Sequence, residues 1–324
     1  MKYNWAIVGC GNIAHDMAEA IQAANGEIYA VGGHTPTKTM AFAKMFGIQH
    51  VYDDCDEMLR DPQVDIVYIA TPYDLHFEYM MKAIHNGKHV LCEKAITVNA
   101  RQLEEVRALA ADKGVVVMEA MTIFHMPLFR KLREVIDAGT IGKVRMLQVN
   151  FGIYREFNSS SNFFNKALGG GVLLDFGVYA AAFTRWFLEE SPDVVLTLPG
   201  YAETGVDEQS GILFKNRQGQ MGVIALTMCA KNPNRAVGMI SGEKGYIEVS
   251  DFPRADKAIL FHAEDGSTEE IAIGKEEEAL QYEIFDMQAS VSGQKENLTL
   301  PLSGDVMNFL TTVRNQWGMV YPFE

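Results

Sequence analysis

A chain of 324 residues is longer than one typical domain and shorter than four, so two domains are expected. Apolar residues make up 48% of it and charged residues 22%, the balance of a chain with a real core and not of a disordered one. A formal charge of -14 argues against a nucleic-acid partner, which asks for a basic face, and against an anionic membrane surface.

The four cysteines, Cys10, Cys55, Cys92 and Cys229, are scattered and form no C-x-x-C pair. Free thiols and no metal site are expected. Met1-Lys2-Tyr3 leads directly into Asn4-Trp5-Ala6-Ile7-Val8 with no leader-like segment, and no run of about 18 apolar residues follows. The sequence therefore reads as cytoplasmic and without a membrane partner.

In chain order, short apolar runs alternate with amphipathic stretches over the first 120 residues or so. Strands are predicted at Trp5–Val8, Ile28–Val31, Asp65–Ala70, His89–Cys92 and Val115–Met118. Helices are predicted between them at Ile13–Ala24, Thr39–Phe46, Leu75–Asn86 and Ala100–Lys113. Continuous Val/Ile runs bounded by turns are what strands buried on both faces look like, and the alternation implies βαβ units on a parallel sheet. Gly47, Gly87 and Gly114 stand just past helix ends, where a left-handed residue closes the last turn.

The rhythm changes after residue 122. One more helix is predicted at Leu128–Ala138, closed by Gly139. Strands follow at Lys143–Phe151, Val194–Leu198, Gly211–Lys215, Met221–Thr227, Ala236–Ile240, Tyr246–Val249 and Ala258–His262, with Asn216-Arg217-Gln218-Gly219 as a hairpin turn. A helix starting near Gly170 interrupts the series. Successive strands without helices between them imply an antiparallel sheet. The overall class is α/β: a Rossmann domain over residues 1–122, then an α+β domain with a large open, mostly antiparallel sheet over 123–324. A last helix at Ser303–Trp317 is free to pack on either domain.

Gly9-Cys10-Gly11-Asn12-Ile13-Ala14 matches G-x-G-x-x-G/A between the first strand and the first helix. Gly9 permits the tight turn, and Gly11 lets the backbone approach a pyrophosphate. Ala14 keeps the helix close to the sheet, and Asn12 and Ile13 open it with N–H donors at its positive end. The strand–turn–helix context makes this a dinucleotide site. At the end of the second strand, Gly32 to Lys38 contains no carboxylate to hold a ribose 2′-hydroxyl, and Glu27 lies at the wrong end of that strand. A site lacking that carboxylate does not repel a 2′-phosphate, and His34, Thr35 and Lys38 offer donors, so NADP(H) is expected over NAD(H).

Strand His89–Cys92 runs into Glu93-Lys94-Ala95, which puts Lys94 at a carboxyl end of the sheet, where ligands bind in open α/β folds. Within Gly169-Gly170-Gly171-Val172-Leu173-Leu174-Asp175-Phe176-Gly177-Val178-Tyr179, a helix starting at the glycines puts Asp175 and Tyr179 on one face. A tyrosine beside an ammonium has a stabilised phenolate and exchanges protons with a carbonyl or alcohol. Asp175 either orients a substrate or fixes Lys94. Taken alone, Tyr179 reads equally as a core aromatic and Asp175 as a charge near a helix N-terminus.

Together, the glycine turn, Ala70-Thr71-Pro72, Glu93-Lys94 and the GGG-x-x-x-D-x-G-x-Y block resemble the Gfo/Idh/MocA oxidoreductase family over essentially the whole chain. The resemblance is nearest to its branch of dimeric dihydrodiol and sugar dehydrogenases. Tyr179 stands where many relatives carry His, and Glu203-Thr204-Gly205-Val206-Asp207 and Gly318 to Phe323 are similar to that branch too. The resemblance implies a homodimer or higher homo-oligomer built on the open sheet. It also implies Lys94 beside the nicotinamide and the substrate oxygen, Tyr179 as acid/base, and Asp175 supporting the substrate. Thr71, Pro72 and His76 would line the cofactor cleft, with Glu93 near its ribose. The expected function is hydride transfer between NADP(H) and a carbonyl or alcohol carbon of a small polyhydroxy or carbonyl substrate. A non-catalytic nicotinamide sensor and a nicotinamide-assisted glycoside hydrolase are the alternatives. Two departures stand out: Ala95 replaces the proline usual after Glu-Lys, and no arginine occurs at Ile123-Phe124-His125.

Overall fold

The computed structural model describes residues 2–231 and 236–324. The chain divides into two compact units. The first holds Met1–Met121 and Glu278–Pro301, and the second holds Thr122–Glu277 and Leu302–Glu324.

The first unit carries six parallel strands in the order β3-β2-β1-β4-β5-β6. They are β1 (Asn4–Val8), β2 (Glu27–Gly32), β3 (His50–Tyr52), β4 (Ile66–Ile69), β5 (His89–Glu93) and β6 (Val117–Ala120). Helices α1 (Asn12–Ala23), α2 (Pro36–Phe46), α3 (Cys55–Arg60), α4 (Tyr73–His85) and α5 (Ala100–Lys113) connect them. This is the parallel sheet that the alternation implied. Ile66, Val67, Tyr68 and Ile69 of β4 are wholly buried, as a strand covered on both faces must be. The strand order reverses between β1 and β4, so their carboxyl ends open the crevice where such folds bind ligands.

Two elements of this unit are absent from the sequence pattern. β3 is a three-residue edge strand, and α3 is a six-residue helix whose start is capped by Asp54. Both are too short to show a period. A third is larger. Helix α9 (Ala279–Val291) belongs to this unit and packs on α1 through Leu280, Ile284 and Met287. The expected division at 122/123 thus has to be redrawn: a segment from the far end of the chain returns to the first unit. The final helix, α10 (Thr299–Trp317), crosses the boundary, and from Leu302 onward it belongs to the second.

The second unit is built on eight strands, mostly antiparallel, in the order β14-β13-β12-β11-β7-β10-β9-β8. They are β7 (Val144–Gly152), β8 (Val194–Tyr201), β9 (Asp207–Lys215), β10 (Met221–Thr227), β11 (Ala236–Gly242), β12 (Gly245–Ser250), β13 (Lys257–His262) and β14 (Thr268–Ala272). β7 and β10 run parallel; the other pairs are antiparallel. The short helix α6 (Thr122–His125), α7 (Pro127–Asp137) and α8 (Val178–Phe187) complete the unit. A π-helical turn over Leu173–Gly177 leads into α8.

One sheet face is covered. Phe183 of α8 lies over Gly238, where any Cβ would strike its ring, and it packs edge-on against Phe129 and Phe187. Alternation along β7, β9 and β10 sends roughly every second residue to this core and leaves the other face more open. By length and composition the helical run Lys166–Phe187 is apolar enough to cross a bilayer, although no such run was expected. However, 78% of its most apolar window is buried in the unit, the packing of a core helix.

Candidate functional site

The nucleotide half of the site is set at the end of β1. Gly9 adopts a φ of +99°, and a Cβ there would sit 2.5 Å from the carbonyl oxygen of Ala70 at the end of β4. Its amide donates to Gly32 O at 2.9 Å, which ties the same turn to β2. Gly11 differs: its backbone is extended, and a Cβ would meet nothing within 4 Å. That open space lies directly before Asn12, Ile13 and Ala14, where α1 starts with no side-chain cap and no acidic residue in its first turn. Uncapped amides and an unopposed positive helix end are what a pyrophosphate requires, so the geometry fits a dinucleotide.

At the tip of β2, His34, Thr35 and Lys38 are exposed. His34 is held: its Nε2 lies 2.9 Å from the hydroxyl of Tyr79, a nearly buried residue of α4. Burial, and then the neighbouring Cys55, push the Tyr79 phenol up, so it stays protonated. Thr35 precedes α2, which also lacks a side-chain cap and an acidic residue in its first turn.

The ends of β4 and β5 carry the remaining first-unit residues. Thr71 Oγ1 is buried with no hydrogen-bond partner among the described residues, an orphaned group of the kind a ligand satisfies. Pro72 caps α4. His76 is fully enclosed, with Nε2 at 2.9 Å from Thr71 O and Nδ1 at 3.0 Å from Ala95 O. Burial lowers its pKa, so the ring is neutral and its single N–H serves one carbonyl at a time. Its role is to hold two backbone segments together.

Glu93 is likewise turned inward. Its Oε1 accepts from Tyr68 OH at 2.5 Å, and its Oε2 accepts from the Lys94 amide at 3.2 Å. Lys94 alone keeps partial exposure in the run 91–99, and its Nζ donates to Tyr73 OH at 3.4 Å. The Lys94–Ala95 peptide bond is cis. Ile96, next in the chain, donates its amide to the buried Glu119 at 3.0 Å.

In the second unit, Asp175 lies in the π-helical turn and Tyr179 in the first turn of α8. Between residues 171 and 180 these two are the only ones not buried, so the helix presents them together on its accessible side. Phe151 of β7 packs against this stretch: its ring stacks on Phe176 with centroids 4.9 Å apart and meets Tyr179 edge-on at 6.2 Å. Among the described residues no cluster of His, Cys, Asp or Glu could hold a metal ion.

Residues 3–121 match the family model of an oxidoreductase family with an NAD-binding Rossmann fold, and residues 129–248 match the C-terminal domain model of GFO/IDH/MocA proteins. The chain belongs to the Gfo/Idh/MocA family. It is an oxidoreductase with a nicotinamide-dinucleotide site. Trans-1,2-dihydrobenzene-1,2-diol dehydrogenase of Xenopus tropicalis is 28% identical over 99% of this chain and 100% of its own. The mouse (Mus musculus) protein of that name is 29% identical over 99% of both. Among solved structures, levoglucosan dehydrogenase with NADH superposes with a TM-score of 0.90 at 19% identity, covering 98% of this chain and 97% of its own. A 3-ketoreductase from Actinomadura kijaniata, with NADP and TDP-benzene, gives 0.85 at 23%, covering 97% and 98%.

The residues read from the sequence fall into two groups. Gly9 to Ala14, His34, Thr35, Lys38, Thr71, Pro72, His76, Glu93 and Lys94 lie in the first unit, and Asp175 and Tyr179 in the second. Sequence reasoning missed Tyr68, Tyr73 and Tyr79, the three phenols that hold Glu93, Lys94 and His34. Each lies 21 to 45 residues from its partner, and no local pattern links them.

Gly11→Leu separates folding from binding at this site. Because the added side chain enters open space, the stability of the protein alone should change by no more than about 0.5 kcal/mol. The stabilisation by saturating dinucleotide, about 2.7 kcal/mol at a hundredfold excess over Kd, should disappear from thermal unfolding. Gly9→Ala should do the opposite and destabilise the protein alone, because Ala70 O occupies the space.

Proposed function

We propose that this protein is an NADP(H)-preferring dehydrogenase or reductase acting on a carbonyl or alcohol carbon of a small sugar, polyol or diol. The observation that carries the reading is the pair Asp175 and Tyr179, the sole accessible residues of an otherwise buried helix start in a chain of this family. A nicotinamide supplies hydride chemistry at the substrate carbon. Tyr179 then exchanges the proton at the substrate oxygen, and the Lys94 ammonium, steadied by Tyr73, polarises that oxygen. Asp175 accepts from a substrate hydroxyl. The substrate class follows the relatives, which are named for a dihydrodiol, for levoglucosan and for a 3-keto group.

Preference for NADP(H) is supported by the bare tip of β2. Exposed His34 and Thr35 stand before an uncapped helix that carries the exposed Lys38 and no acidic residue in its first turn, and Gly32 to Lys38 offers no carboxylate to oppose a 2′-phosphate. The relatives themselves are of both kinds, one solved with NADP and another with NADH.

A homodimer is supported by the open face of the second unit's sheet. Paired registers put Leu196, Leu213 and Val223 side by side, with Leu198 on the same face one step along, 80% exposed. Further along the same row, Gln148 and Glu248 separate Met239 and Ile259 from this apolar group. A contiguous apolar face of this kind marks an interface.

Three measurements check these readings. Tyr179→Phe should lower turnover of carbonyl sugars or diketones by roughly 10²–10⁴ while cofactor affinity changes little. Near-normal turnover would return Tyr179 to a pocket-lining aromatic. Fluorescence titration should give a lower Kd for NADPH than for NADH, and the reverse order would remove His34 and Lys38 from the site. Light scattering should give a dimer mass, and Leu198→Asp combined with Leu213→Asp should give a monomer that keeps its fold.

A further inference from the structure

Three stretches far apart in the chain, Gly169 to Gly171, Glu203 to Asp207 and Gly318 to Phe323, meet in the second unit at the start of the helix that carries Asp175 and Tyr179. Asp207, the first residue of β9, is completely buried, and its Oδ2 accepts from the Leu173 amide at 2.7 Å. Its Oδ1 is buried without a hydrogen-bond partner among the described residues and presses on Gly171. Only glycine fits there: φ is +128°, and any Cβ would collide with that oxygen. From the C-terminal stretch, the buried Tyr321 donates its hydroxyl to Gly170 O at 3.1 Å. The Arg314 guanidinium lies over the Tyr321 ring at 4.6 Å and pairs with Glu324 at 2.5 Å.

The first amides of a helix have no partner within it and are commonly capped by the residue just before. A cap of that kind turns with its own helix. Here the acceptor comes from 34 residues away, on a strand whose position is fixed by pairing with β8 and β10. The Leu173 amide is therefore referred to the sheet, and the two residues that follow on the accessible side inherit that reference.

We propose that Asp207 against Gly171 and Tyr321 against Gly170 form a clasp that fixes the first turn of this helix, and that Asp207 is thereby a positioning residue for Asp175 and Tyr179. The effect on turnover rests on the reading of Tyr179 as acid/base; the hold on the turn does not.

The charge of Asp207 makes the clasp sensitive to pH. Burial pushes its carboxyl up to about 7, against the Leu173 amide, its own backbone amide and Arg314, which act in the opposite sense. The charged or ionisable groups coupled to it are Arg314 from α10, itself paired with Glu324, and Tyr201 from β8. The native carboxyl binds its proton more tightly than the unfolded one, so its contribution to stability falls as pH rises from the ordinary carboxylate range towards 7. The ionised form nonetheless holds the Leu173 N–H about twice as strongly as the neutral acid. The first turn tightens, and turnover gains a limb that rises through about pH 7.

Hydrogen exchange on the full chain, read over residues 171–180, tests the clasp independently of any substrate. Asp207→Ala should speed exchange there by roughly ten- to a hundredfold, the cost of leaving a buried amide unpaired, and should lower kcat through Tyr179 and raise KM through Asp175. Asp207→Asn keeps an acceptor for Leu173; it should recover most of both losses yet lack the limb near pH 7. Tyr321→Phe should shift exchange in the same direction by less. Unchanged exchange in Asp207→Ala overturns the proposal, as does an Asn variant impaired as deeply as Ala or one that retains the limb. If Asp207→Ala does not fold, the Asn pH profile and the Tyr321→Phe exchange decide by the same criteria. Faster exchange with undiminished turnover supports the clasp and counts instead against Tyr179 as the acid/base.

Discussion

The contact between Gly9 and the carbonyl of Ala70 governs the first unit. It brings the turn after β1 against the end of β4 with no room for a side chain, at the place where the strand order reverses. From Ala70 a short series of backbone contacts leads to the lysine. The ring of His76 lies between Thr71 O and Ala95 O and donates its one N–H to one or the other, and Ala95 adjoins Lys94, whose own amide is held by Glu93. The glycine turn and the Lys94 backbone are thus related through main-chain atoms and two buried side chains. This explains how the loop keeps its place with Ala95 where the family has proline. The restraint comes from His76 and Glu119, whose bonds at 3.0 Å flank the Ala95–Ile96 link.

What the sequence makes legible is whatever repeats locally. The five predicted strands of the first domain are strands, because burial on both faces of the sheet gives each a short, largely apolar run. The glycine turn and the Glu93-Lys94 step could be read for the same reason: their chemistry is contained within a few residues. Helix α9 could not. It packs on α1 through Leu280, Ile284 and Met287, but Glu283 and Asp286 are buried with them, so its apolar stripe is broken by carboxylates. Asp286 is matched by Lys295 at 2.5 Å, a pairing visible only after folding. β14 was hidden in the opposite way: of Thr268 to Ala272 only Ile271 is buried, leaving an edge strand that reads as a charged loop.

The same division runs through the functional residues. Asp175 and Tyr179 could be proposed because four residues on a helix fix a common face, and a π-helical turn leading into an α-helix preserves that relation. The residues that hold the site in place are a different matter. Tyr79 meets His34 across 45 residues, and Asp207 meets Leu173 across 34. Such pairs depend on strand order and register, which one sequence does not display.

The charge of the chain needs the same local reading. A net charge of -14 argues against a partner that is bound through a broad basic surface, but it does not argue against an anionic cofactor. The two helices that face the expected phosphates, α1 and α2, carry no acidic residue in their first turns and no side-chain cap. Their amides and dipoles set the local potential within a turn's length. α4 supplies the contrast, since it begins with Asp74 in its first turn and follows Pro72 beside the orphaned Thr71 hydroxyl. The sign of each helix's first turn, more than the charge of the whole, therefore sets the local potential at the carboxyl ends of the first unit's strands.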